Sequence, residues 1–344
     1  MKQKWRLLRD DIREPGLHFA VEEAILQCLE SSISPCTLRL RKVIPCVFIG
    51  VYQYADEDVD IDYCRKMNIP VIRRPNPGGA VYQDEGSFCY SAFFRKGEFF
   101  KHIGINDSSE LFGFFGSTVL ALLDSYGIRG DISPVNDITV GGRKIYGSAQ
   151  VELFDCFVHS GTFLVNCCKE NMEKALKPSM LKFEDKGFKN VRDRVVNLAE
   201  LLMTGTEIDV NDVMSRLAGV FESRAEIKLY NGELSAKEIA LAKKFYEEKY
   251  SQHEWTFNNR PSYDTFVSAK AESGVISLFI SVKDNIIHDL KISGDFLVPD
   301  QVLLKEALDS VKGHYPESGV KIIQNSKLPS DVKLTISKLM REIQ

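Results

Sequence analysis

The stretch DITVGGRKIYGSAQ (137–150) decides how the middle of this chain folds. Two β-prone runs, ITV and RKI, flank the dipeptide Gly141-Gly142. Both central residues of a type I′ turn need a positive φ, which glycine adopts without steric cost. The pattern therefore predicts a β-hairpin that places Lys144 on its returning strand.

The segments around this hairpin mix helical and strand patterns. Apolar residues recur at helical intervals over 18–30 (HFAVEEAILQCLE), which predicts an amphipathic helix, and 109–126 is apolar enough for a buried helix. Four further segments predict strands: 38–43 (LRLRKV), 46–52 (CVFIGVY), 69–74 (IPVIRR) and 156–166 (CFVHSGTFLVN).

Helical patterns dominate from about residue 206 and strands return near the end of the chain. A helix is predicted over 210–221, and a capping box of Ser235 and Glu238 opens another that runs through Tyr250. A turn-rich stretch, 255–264, precedes predicted strands and a helix at 274–282, 286–292 and 300–311. We therefore predict an α+β protein of two domains: a large mixed-sheet domain over 1–250, including the helical connector, and a smaller α+β accessory domain over 255–344.

Composition bounds the function. The 344 residues carry 44 Lys plus Arg and 48 Asp plus Glu, a net charge of −4, which argues against a protein that coats nucleic acid. The apolar runs are shorter than the roughly 18 residues of a membrane span. The eight cysteines are scattered without a CxxC pair, which indicates buried or incidental thiols. We expect a cytoplasmic protein that binds neither nucleic acid nor membrane.

The segment RRPNPGGAVYQDEG (73–86) is the first candidate for an anion-binding site. Gly78 and Gly79 let backbone N–H groups approach an anion closely, and Arg73 and Arg74 offer planar forks of donors for phosphate or carboxylate. No Gly-Lys-Ser/Thr follows, so this is not a P-loop. A surface hairpin with two solvated arginines is the alternative.

Two further segments carry polar groups at strand positions. Lys144 supplies a compact positive charge for a carboxylate and a phosphate, and Asn136 and Asp137 have oxygens that suit a base, a ribose or a metal. An exposed strand lysine is the alternative. In HSGTFLVN (159–166), His159 is either a polar contact or a structural histidine.

Taken in order, these motifs resemble those of the lipoate–protein ligase family, which shares its fold with the biotin ligases. The family's RRxSGGGAVYHDxGN, NDxxxxGxKxxGSA and HxGTxLxN patterns align with 73–86, 136–149 and 159–166. The segment KGFKNVRDRVVNL (186–198) resembles the family's adenylate-side loop. Trp255, Pro261 and KISGDF (291–296) resemble the accessory domain of the longer ligases, so the resemblance covers nearly the whole chain.

The resemblance implies a reaction in two steps. Lipoate and Mg²⁺-ATP give lipoyl-adenylate and pyrophosphate, and octanoate is a second acyl substrate. The acyl group then passes to the ε-amine of a lysine on a lipoyl carrier, which is the glycine-cleavage H protein or a 2-oxoacid dehydrogenase E2 domain. Loops 75–86 and 182–194 are expected to close over the adenylate and exclude water. The accessory domain is expected to move during the cycle, with a rigid cap as the alternative.

The resemblance also implies the site residues. Lys144 is implied as the catalytic residue, Asp137 as a ligand of Mg²⁺, and Phe19, Val81 and Tyr82 as the lining of an apolar slot. The residues implied to bind the substrate and the adenylate are Arg73, Arg74, Asn76, Gly78, Gly79, Ala80, Val81, Tyr82, Gln83, Asn136, Asp137, Lys144, Gly147, Ser148, Ala149, His159, Gly161 and Thr162. The adenylate loop contributes Lys186, Arg192 and Arg194.

Several positions depart from the family pattern. Pro77 stands where the family has glycine, which removes one N–H donor, and Gln83 replaces a histidine. Asn76 replaces a small hydroxyl residue, Tyr146 a small residue, and His18 an asparagine. These departures point to an altered acyl or acceptor preference in a protein that keeps its activity.

Two other functions remain open from the sequence. An ATP-independent octanoyl or lipoyl transferase of the same fold uses a cysteine nucleophile, but 130–140 holds no cysteine and Cys156 follows Lys144 in the chain. A non-catalytic protein that binds lipoate or an acyl-adenylate is the third possibility. Such a protein would be stabilised by ligand without releasing pyrophosphate.

Overall fold

A computed structural model describes residues 2–133, 136–153, 155–177, 190–203, 207–258, 260–263, 265–298 and 300–342. The strands in this part of the chain are β1 (Lys4–Arg9), β2 (Thr37–Arg41), β3 (Cys46–Ile49), β4 (Val71–Arg73), β5 (Val81–Gln83), β6 (Ser87–Arg95), β7 (Asp131–Ser133), β8 (Asp137–Val140), β9 (Arg143–Leu153), β10 (Cys156–Leu164), β11 (Lys228–Asn231), β12 (Thr265–Ala271), β13 (Gly274–Lys283) and β14 (Ile286–Gly294). Its helices are α1 (Pro15–Glu30), α2 (Ala55–Asp58), α3 (Ile61–Lys66), α4 (Lys96–Ile103), α5 (Glu110–Asp124), α6 (Lys169–Ala175), α7 (Val191–Arg194), α8 (Val210–Arg224), α9 (Ala236–Phe245), α10 (His253–Thr256), α11 (Gln301–Asp309), α12 (Pro316–Asn325) and α13 (Ser330–Arg341). No helix among these residues is both long enough and apolar enough to cross a bilayer.

An eight-stranded mixed sheet forms the centre of the large domain. Its strand order is β11-β1-β2-β6-β10-β9-β8-β7, with β1 parallel to β2 and β11 and the other pairs antiparallel. Edge strand β11 lies in the segment for which the sequence predicts helices, and only its pairing with β1 makes it a strand. The predicted mixed sheet and α+β class are confirmed.

The two faces of this sheet are covered by different helices, because successive side chains of a strand point to opposite sides. Leu38, Leu40 and Tyr90 point to the face packed by α5 and α8, where an aromatic core includes Phe115 and Phe221. Arg39, Arg41 and Ser91 point to the other face, which α1 covers. We call these the aromatic face and the cavity face.

The hairpin prediction is confirmed in its position and in the positive φ of its two turn glycines. Strands β8 and β9 are antiparallel, and Gly141 and Gly142 have φ of 57° and 76° between them. The predicted helix at 18–30 is α1, and the capping box of Ser235 and Glu238 opens α9, which passes into a π-helical turn at Tyr246–Tyr250.

A second, smaller sheet carries the loop 74–80, which we call the arginine-glycine loop. Its order is β4-β3-β5, and its apolar side chains pack with α3 and α6 into a separate cluster that includes Val47, Val71 and Met172. The loop 74–80 connects β4 to β5, so it leaves one edge of this sheet and returns to the other.

The C-terminal domain is a three-stranded antiparallel meander, β12-β13-β14, packed by α11, α12 and α13. Its apolar side chains, such as Ile276, Leu290 and Ile336, form a core of their own. Strand β12 was not predicted, because its burial alternates between half-buried and exposed residues and gives no apolar run.

The C-terminal domain rests against two loops of the large domain. The rings of Tyr52 and Phe296 stack with centroids 5.1 Å apart, and Gly294 N donates to Tyr52 O at 3.0 Å. Gln301 Nε2 donates to Pro75 O at 2.8 Å. These contacts place the C-terminal domain directly on the arginine-glycine loop.

Candidate active site

A cavity of about 340 Å³ opens between the cavity face, helix α1, the arginine-glycine loop and the C-terminal domain. Seventeen of the sequence-predicted site residues line it: Arg74, Asn76, Gly78, Gly79, Ala80, Val81, Tyr82, Gln83, Asn136, Asp137, Lys144, Gly147, Ser148, Ala149, Gly161, Thr162 and Arg194. Phe19, expected in the acyl slot, also lines it. Segments far apart in the sequence therefore meet in one space.

A row of residues across five strands forms the floor of the cavity. Arg41 pairs with Cys89, Cys89 with Thr162, Thr162 with Gly147, and Gly147 with Asp137. Directly paired residues share one face, and neighbouring strands lie about 4.8 Å apart, so the row spans roughly 19 Å. The cavity thus has two ends, one at Arg41 and one at Asp137.

Lys144 lies at the Asp137 end of the row. Its Nζ is 2.7 Å from Asp137 Oδ1, and its backbone O accepts from Val196 N at 2.9 Å. A Cβ on Gly147 would collide with the Lys144 Nζ and Cε atoms, so the lysine side chain lies directly over this glycine. The hairpin and the glycine together hold an ammonium group above the floor.

Arg74 anchors the arginine-glycine loop from inside. Its guanidinium donates to the backbone carbonyls of Phe48 at 3.1 Å, Pro77 at 3.2 Å and Gly79 at 2.8 Å. Burial lowers the pKa of this side chain to about 10. Gly78 has a φ of 102°, a conformation that L side chains rarely adopt. The loop is therefore shaped around a buried cation with carbonyl partners, a setting that favours an incoming anion.

Arg73 does not line the cavity. Its side chain is buried on the opposite side of the loop and joins the 50–53 turn to the segment that follows the π-helical turn. It donates at 2.5–3.0 Å to the backbone oxygens of Gly50, Val51, Gln53, Trp255 and Thr256 and to Oδ1 of Asn258. The two consecutive arginines therefore have different settings, and Arg73 acts on the loop through the backbone that it holds.

His159 also lies outside the cavity, on the aromatic face. Its ring stacks on Phe115 with centroids 3.8 Å apart, and Nε2 and Nδ1 lie 3.2 Å from Tyr146 Oη and Gln150 Nε2. Burial lowers the pKa of His159 to about 3. A Cβ on Gly161 would overlap the Tyr146 ring, so Gly161 makes room for this buried cluster. The setting is that of a structural histidine.

The adenylate-loop residues are placed differently from one another. Lys186 lies outside the described residues. Arg192 Nη2 lies 3.1 Å from Glu170 Oε1 at the surface and does not line the cavity, whereas Arg194 does.

Gln83 and Phe19 shape the middle of the cavity. Gln83 Nε2 donates to Thr162 Oγ1 at 2.8 Å, and its Oε1 accepts from Cys89 Sγ at 2.8 Å. The Phe19 and Phe48 rings meet edge to face at 4.7 Å and form an apolar wall. The middle of the cavity therefore combines apolar side walls with a hydrogen-bonded floor.

Sequence reasoning missed the lining residues that come from outside the motifs. Glu22, Arg41 and Cys89 line one end, and Ser273, Asp295 and Leu297 of the C-terminal domain cover the loop. Arg39 and Arg41 alternate with leucines in LRLR, which reads as a strand with one solvated face. Both faces of β2 are buried, and charged residues on a buried face are the signal that could have identified this end.

The chain matches two family profiles along most of its length. Residues 14–222 match the lipoyl protein ligase A/B catalytic domain, and 260–315 match the bacterial lipoate protein ligase C-terminus. Lipoate–protein ligase 1 of Staphylococcus aureus is 30 % identical over 302 residues, which are 87 % of this chain and 87 % of that protein. Lipoate-protein ligase LplJ of Bacillus subtilis is 29 % identical over 83 % of each chain.

Solved structures share the fold. P. falciparum LipL1 in complex with lipoate has a TM-score of 0.78 at 20 % identity over 99 % of each chain. The archaeal bipartite lipoate protein ligase of Thermoplasma acidophilum, studied with its E2 lipoyl domain, has a TM-score of 0.64 at 25 % identity and covers 77 % of this chain and 100 % of that one. The matching profiles and the relative in S. aureus establish that this chain belongs to the lipoate–protein ligase family.

Proposed function

We propose that this chain is an ATP-dependent lipoate–protein ligase. It joins lipoate to AMP with release of pyrophosphate, and then transfers the lipoyl group to a lysine ε-amine of a carrier protein with release of AMP. The observation that carries this proposal is the Lys144–Asp137 pair at one end of a cavity that Arg74 and its loop also line.

Lys144 suits the first step because two anions must meet there. The attacking carboxylate and the α-phosphate repel each other, and an ammonium group between them offsets the charge that develops in the transition state. Asp137 holds the ammonium in place before the substrates arrive. When the phosphate binds, Lys144 exchanges one anionic partner for another.

Arg74 and the glycines of its loop suit the adenylate. The buried guanidinium lies beside Gly79 O, and Gly78 carries a backbone that can approach a phosphate closely. Pro77 removes one donor from this loop, so the phosphate contacts fall to the glycine N–H groups and Arg74.

Asp137 is the side chain that we propose to hold Mg²⁺ when ATP binds. Mg²⁺ is commonly bound by one or two carboxylates together with substrate phosphates, and the Asp137 carboxylate at the Lys144 end fits that chemistry. The ion would neutralise charge on the polyphosphate. Once Lys144 has exchanged Asp137 for the phosphate, the Asp137 carboxylate is left to accept the ion.

Contacts between the C-terminal domain and the arginine-glycine loop are the means we propose for keeping water out of the reacting end of the cavity. A mixed anhydride hydrolyses readily, so the reacting end must be covered. Leu297 Cδ2 would lie 3.1 Å from a Cβ on Gly78, and Gln301 Nε2 donates to Pro75 O. We propose that the C-terminal domain stays on the loop through Leu297 and Gln301 during adenylate formation and must move away for a carrier lysine to enter.

We also propose the division into domains, the partners and the location. The core of the C-terminal domain is separate from that of the large domain, and β11 pairs with β1, which supports boundaries of 1–250 and 255–344. The second substrate is a lipoyl carrier, either an H protein or an E2 domain. Eight free cysteines suit a reducing cytoplasm.

The test is a pyrophosphate-release assay combined with intact mass spectrometry of apo carrier proteins. With ATP, Mg²⁺ and lipoate, the wild type is expected to add one lipoyl group, and Lys144→Ala is expected to lose about 10²- to 10³-fold in rate. Lys66→Ala, on the exposed side of α3, is the matched control.

Other outcomes would identify the other functions. Acyl transfer from a preloaded carrier without ATP would replace the proposal with a transferase, for which Cys89 is the cysteine in the cavity. Thermal stabilisation by lipoate without pyrophosphate release would leave a binding protein.

A further inference from the structure

Arg73 is a buried cation that lies outside the cavity, and only 1 % of it is exposed. All six oxygens that accept from its side chain in the described part of the chain are neutral. Burial lowers the pKa of its guanidinium to about 10. A charge buried in this way costs free energy that its hydrogen bonds must offset. The groups that these bonds join therefore indicate what the arginine is for.

The guanidinium divides its hydrogen bonds equally between two segments that are far apart in the sequence. Its Nη1 donates to three backbone oxygens of the turn 50–53. Its Nε and Nη2 donate to three oxygens of the segment 255–258. The backbone of Arg73 adds two bonds to this segment, because its N–H donates to Thr256 Oγ1 at 3.3 Å and its O accepts from Trp255 Nε1 at 2.9 Å. Arg73 thus braces the turn against the segment.

The turn 50–53 also contacts the arginine-glycine loop. Val51 N donates to Asn76 O at 3.1 Å. A Cβ built on Gly50 would collide with Gly78 O, so the backbones of these two glycines touch. Gly78 itself lines the cavity. The position of Gly78 in the cavity therefore depends on where the turn is held.

The two consecutive arginines hold the arginine-glycine loop from different sides. Arg74 donates to Pro77 O and Gly79 O within the loop. Arg73 holds the turn on which Gly78 rests. Groups that meet a reacting phosphate must be placed to within about 0.5 Å, and a misplacement of about 1 Å can cost roughly 100-fold in rate. A loop held by Arg74 alone would let Gly78 shift by such a distance.

We propose that Arg73 is a positioning residue for adenylate formation: it braces the turn 50–53 against the segment 255–258 and so fixes the place of Gly78 in the cavity. The reaction that it serves rests on the proposed function, whereas the brace belongs to the fold. Since the guanidinium does not line the cavity, its loss displaces the phosphate-binding backbone and removes no direct contact with a substrate.

The experiment measures pyrophosphate release by the full-length protein with ATP, Mg²⁺ and lipoate. Arg73→Lys keeps the charge, but an ammonium group has three donors and no planar fork, so it cannot span the turn and the segment together. We expect the KM for ATP to rise about 10-fold or more and the KM for lipoate to change less than about 2-fold. Arg65→Lys, on an exposed arginine of α3, is the matched control and is expected to keep both wild-type values.

Asn258 allows the brace to be altered while the buried arginine stays in place. It is exposed, and its Oδ1 accepts from Arg73 Nη2 at 2.6 Å. Asn258→Ala removes this acceptor and should raise the KM for ATP about 3- to 5-fold. Asn258→Asp keeps an acceptor there and makes the bond charge-assisted, so the KM for ATP should stay at the wild-type value. If Arg73→Lys fails to fold, this pair decides the question.

Hydrogen exchange at the Val51 amide reports on the brace without any reaction. This amide is bonded to Asn76 O, at the contact between the turn and the loop. Its exchange should be faster in Arg73→Lys and in Asn258→Ala. Asn258→Asp and Arg65→Lys should exchange as the wild type does.

A merely structural role would give a different result. Lower kcat with an unchanged KM for ATP in Asn258→Ala would mean that less of the protein is folded, and it would overturn the positioning role. A rise in KM for ATP that is as large in Asn258→Asp as in Asn258→Ala would overturn it as well. Absence of pyrophosphate release by the wild type would refute the proposed function. Exchange at Val51 then decides the brace alone: faster exchange in Asn258→Ala supports it, and unchanged exchange overturns it.

Discussion

The two faces of the eight-stranded sheet are both buried, yet they bury different chemistry. On the aromatic face, the polar atoms of Tyr90, Tyr146 and His159 bond to one another among stacked rings. On the cavity face, Arg41 Nε is buried without a partner in the described part of the chain, and Lys144, paired with Asp137, lines an open space. Polar groups enclosed among stacked rings stabilise the fold, whereas charged groups that line an open cavity are placed to meet a ligand.

The largest expected effect comes from removing a ring on the aromatic face. Phe115 packs against Tyr90, His159 and Phe221, so Phe115→Ala should lower the free energy of unfolding by about 3–5 kcal/mol in urea denaturation. On the cavity face, Thr162→Ala removes the hydroxyl that accepts from Gln83 Nε2 and lies 3.4 Å from Cys89 Sγ, and it should cost about 1 kcal/mol. Equal losses in the two variants would mean that both faces serve mainly as core.

Two glycine-to-alanine substitutions make the same chemical change next to the aromatic face and on the cavity face, and so allow a direct comparison. Gly161→Ala places a methyl group against the enclosed Tyr146 ring and should lower the free energy of unfolding by about 1–3 kcal/mol. Gly147→Ala meets the movable end of Lys144 instead, so stability should hardly change. Adenylate formation should fall about 10- to 100-fold in Gly147→Ala, because the ammonium is displaced.

Measuring unfolding and pyrophosphate release in both glycine variants tests this pair. A Gly147→Ala protein that keeps its full rate would show that the position of the Lys144 ammonium is not critical. A Gly161→Ala protein of unchanged stability would show that the Tyr146 cluster can yield.

The third comparison uses the pH dependence of stability that His159 contributes on the aromatic face. Its folded pKa of about 3 lies below the unfolded value of about 6.5, so as pH falls below 6.5 the unfolded state gains a proton that the folded state refuses. Stability should fall by roughly 1.4 kcal/mol per pH unit from this residue, or about 2 kcal/mol at pH 5.

His159→Gln isolates that contribution, because an amide can still bond to Tyr146 and Gln150 and has no proton to gain. Urea denaturation at pH 7 and pH 5 should show a loss smaller by about 2 kcal/mol in the variant than in the wild type. His18, whose pKa burial also lowers, keeps its own share of the acid sensitivity. Equal losses in the two proteins would mean that His159 is protonated in the folded state.

Features set by local chemistry could be predicted from the sequence. The Gly141-Gly142 turn, the capping box of Ser235 and the amphipathic α1 depend on neighbouring residues and on one periodicity each. Features set by distant partners could not. Strand β11 exists because β1 offers it an edge, and β12 because β13 pairs with it.

The candidate site also has a part that could be predicted from the sequence and a part that could not. The motifs identified the residues around Lys144 and Arg74, but a motif treats Arg73 and Arg74 as a pair, and neighbouring side chains of an extended segment point apart. The same alternation separates His159 from Thr162. Leu297 and Arg41 belong to no motif, because only the packing of the C-terminal domain and of α1 brings them to the cavity.

The floor of the cavity has a consequence for how this family varies. Arg41, Cys89, Thr162, Gly147 and Asp137 are scattered over about 120 positions of the chain but are successive neighbours across the sheet. A substitution at one of them changes the room available to the residue paired with it on the next strand. It has less effect on its own neighbours in the sequence. Among relatives, evolutionary covariation should therefore link these five positions sideways, while the loops between them remain free to lengthen or shorten.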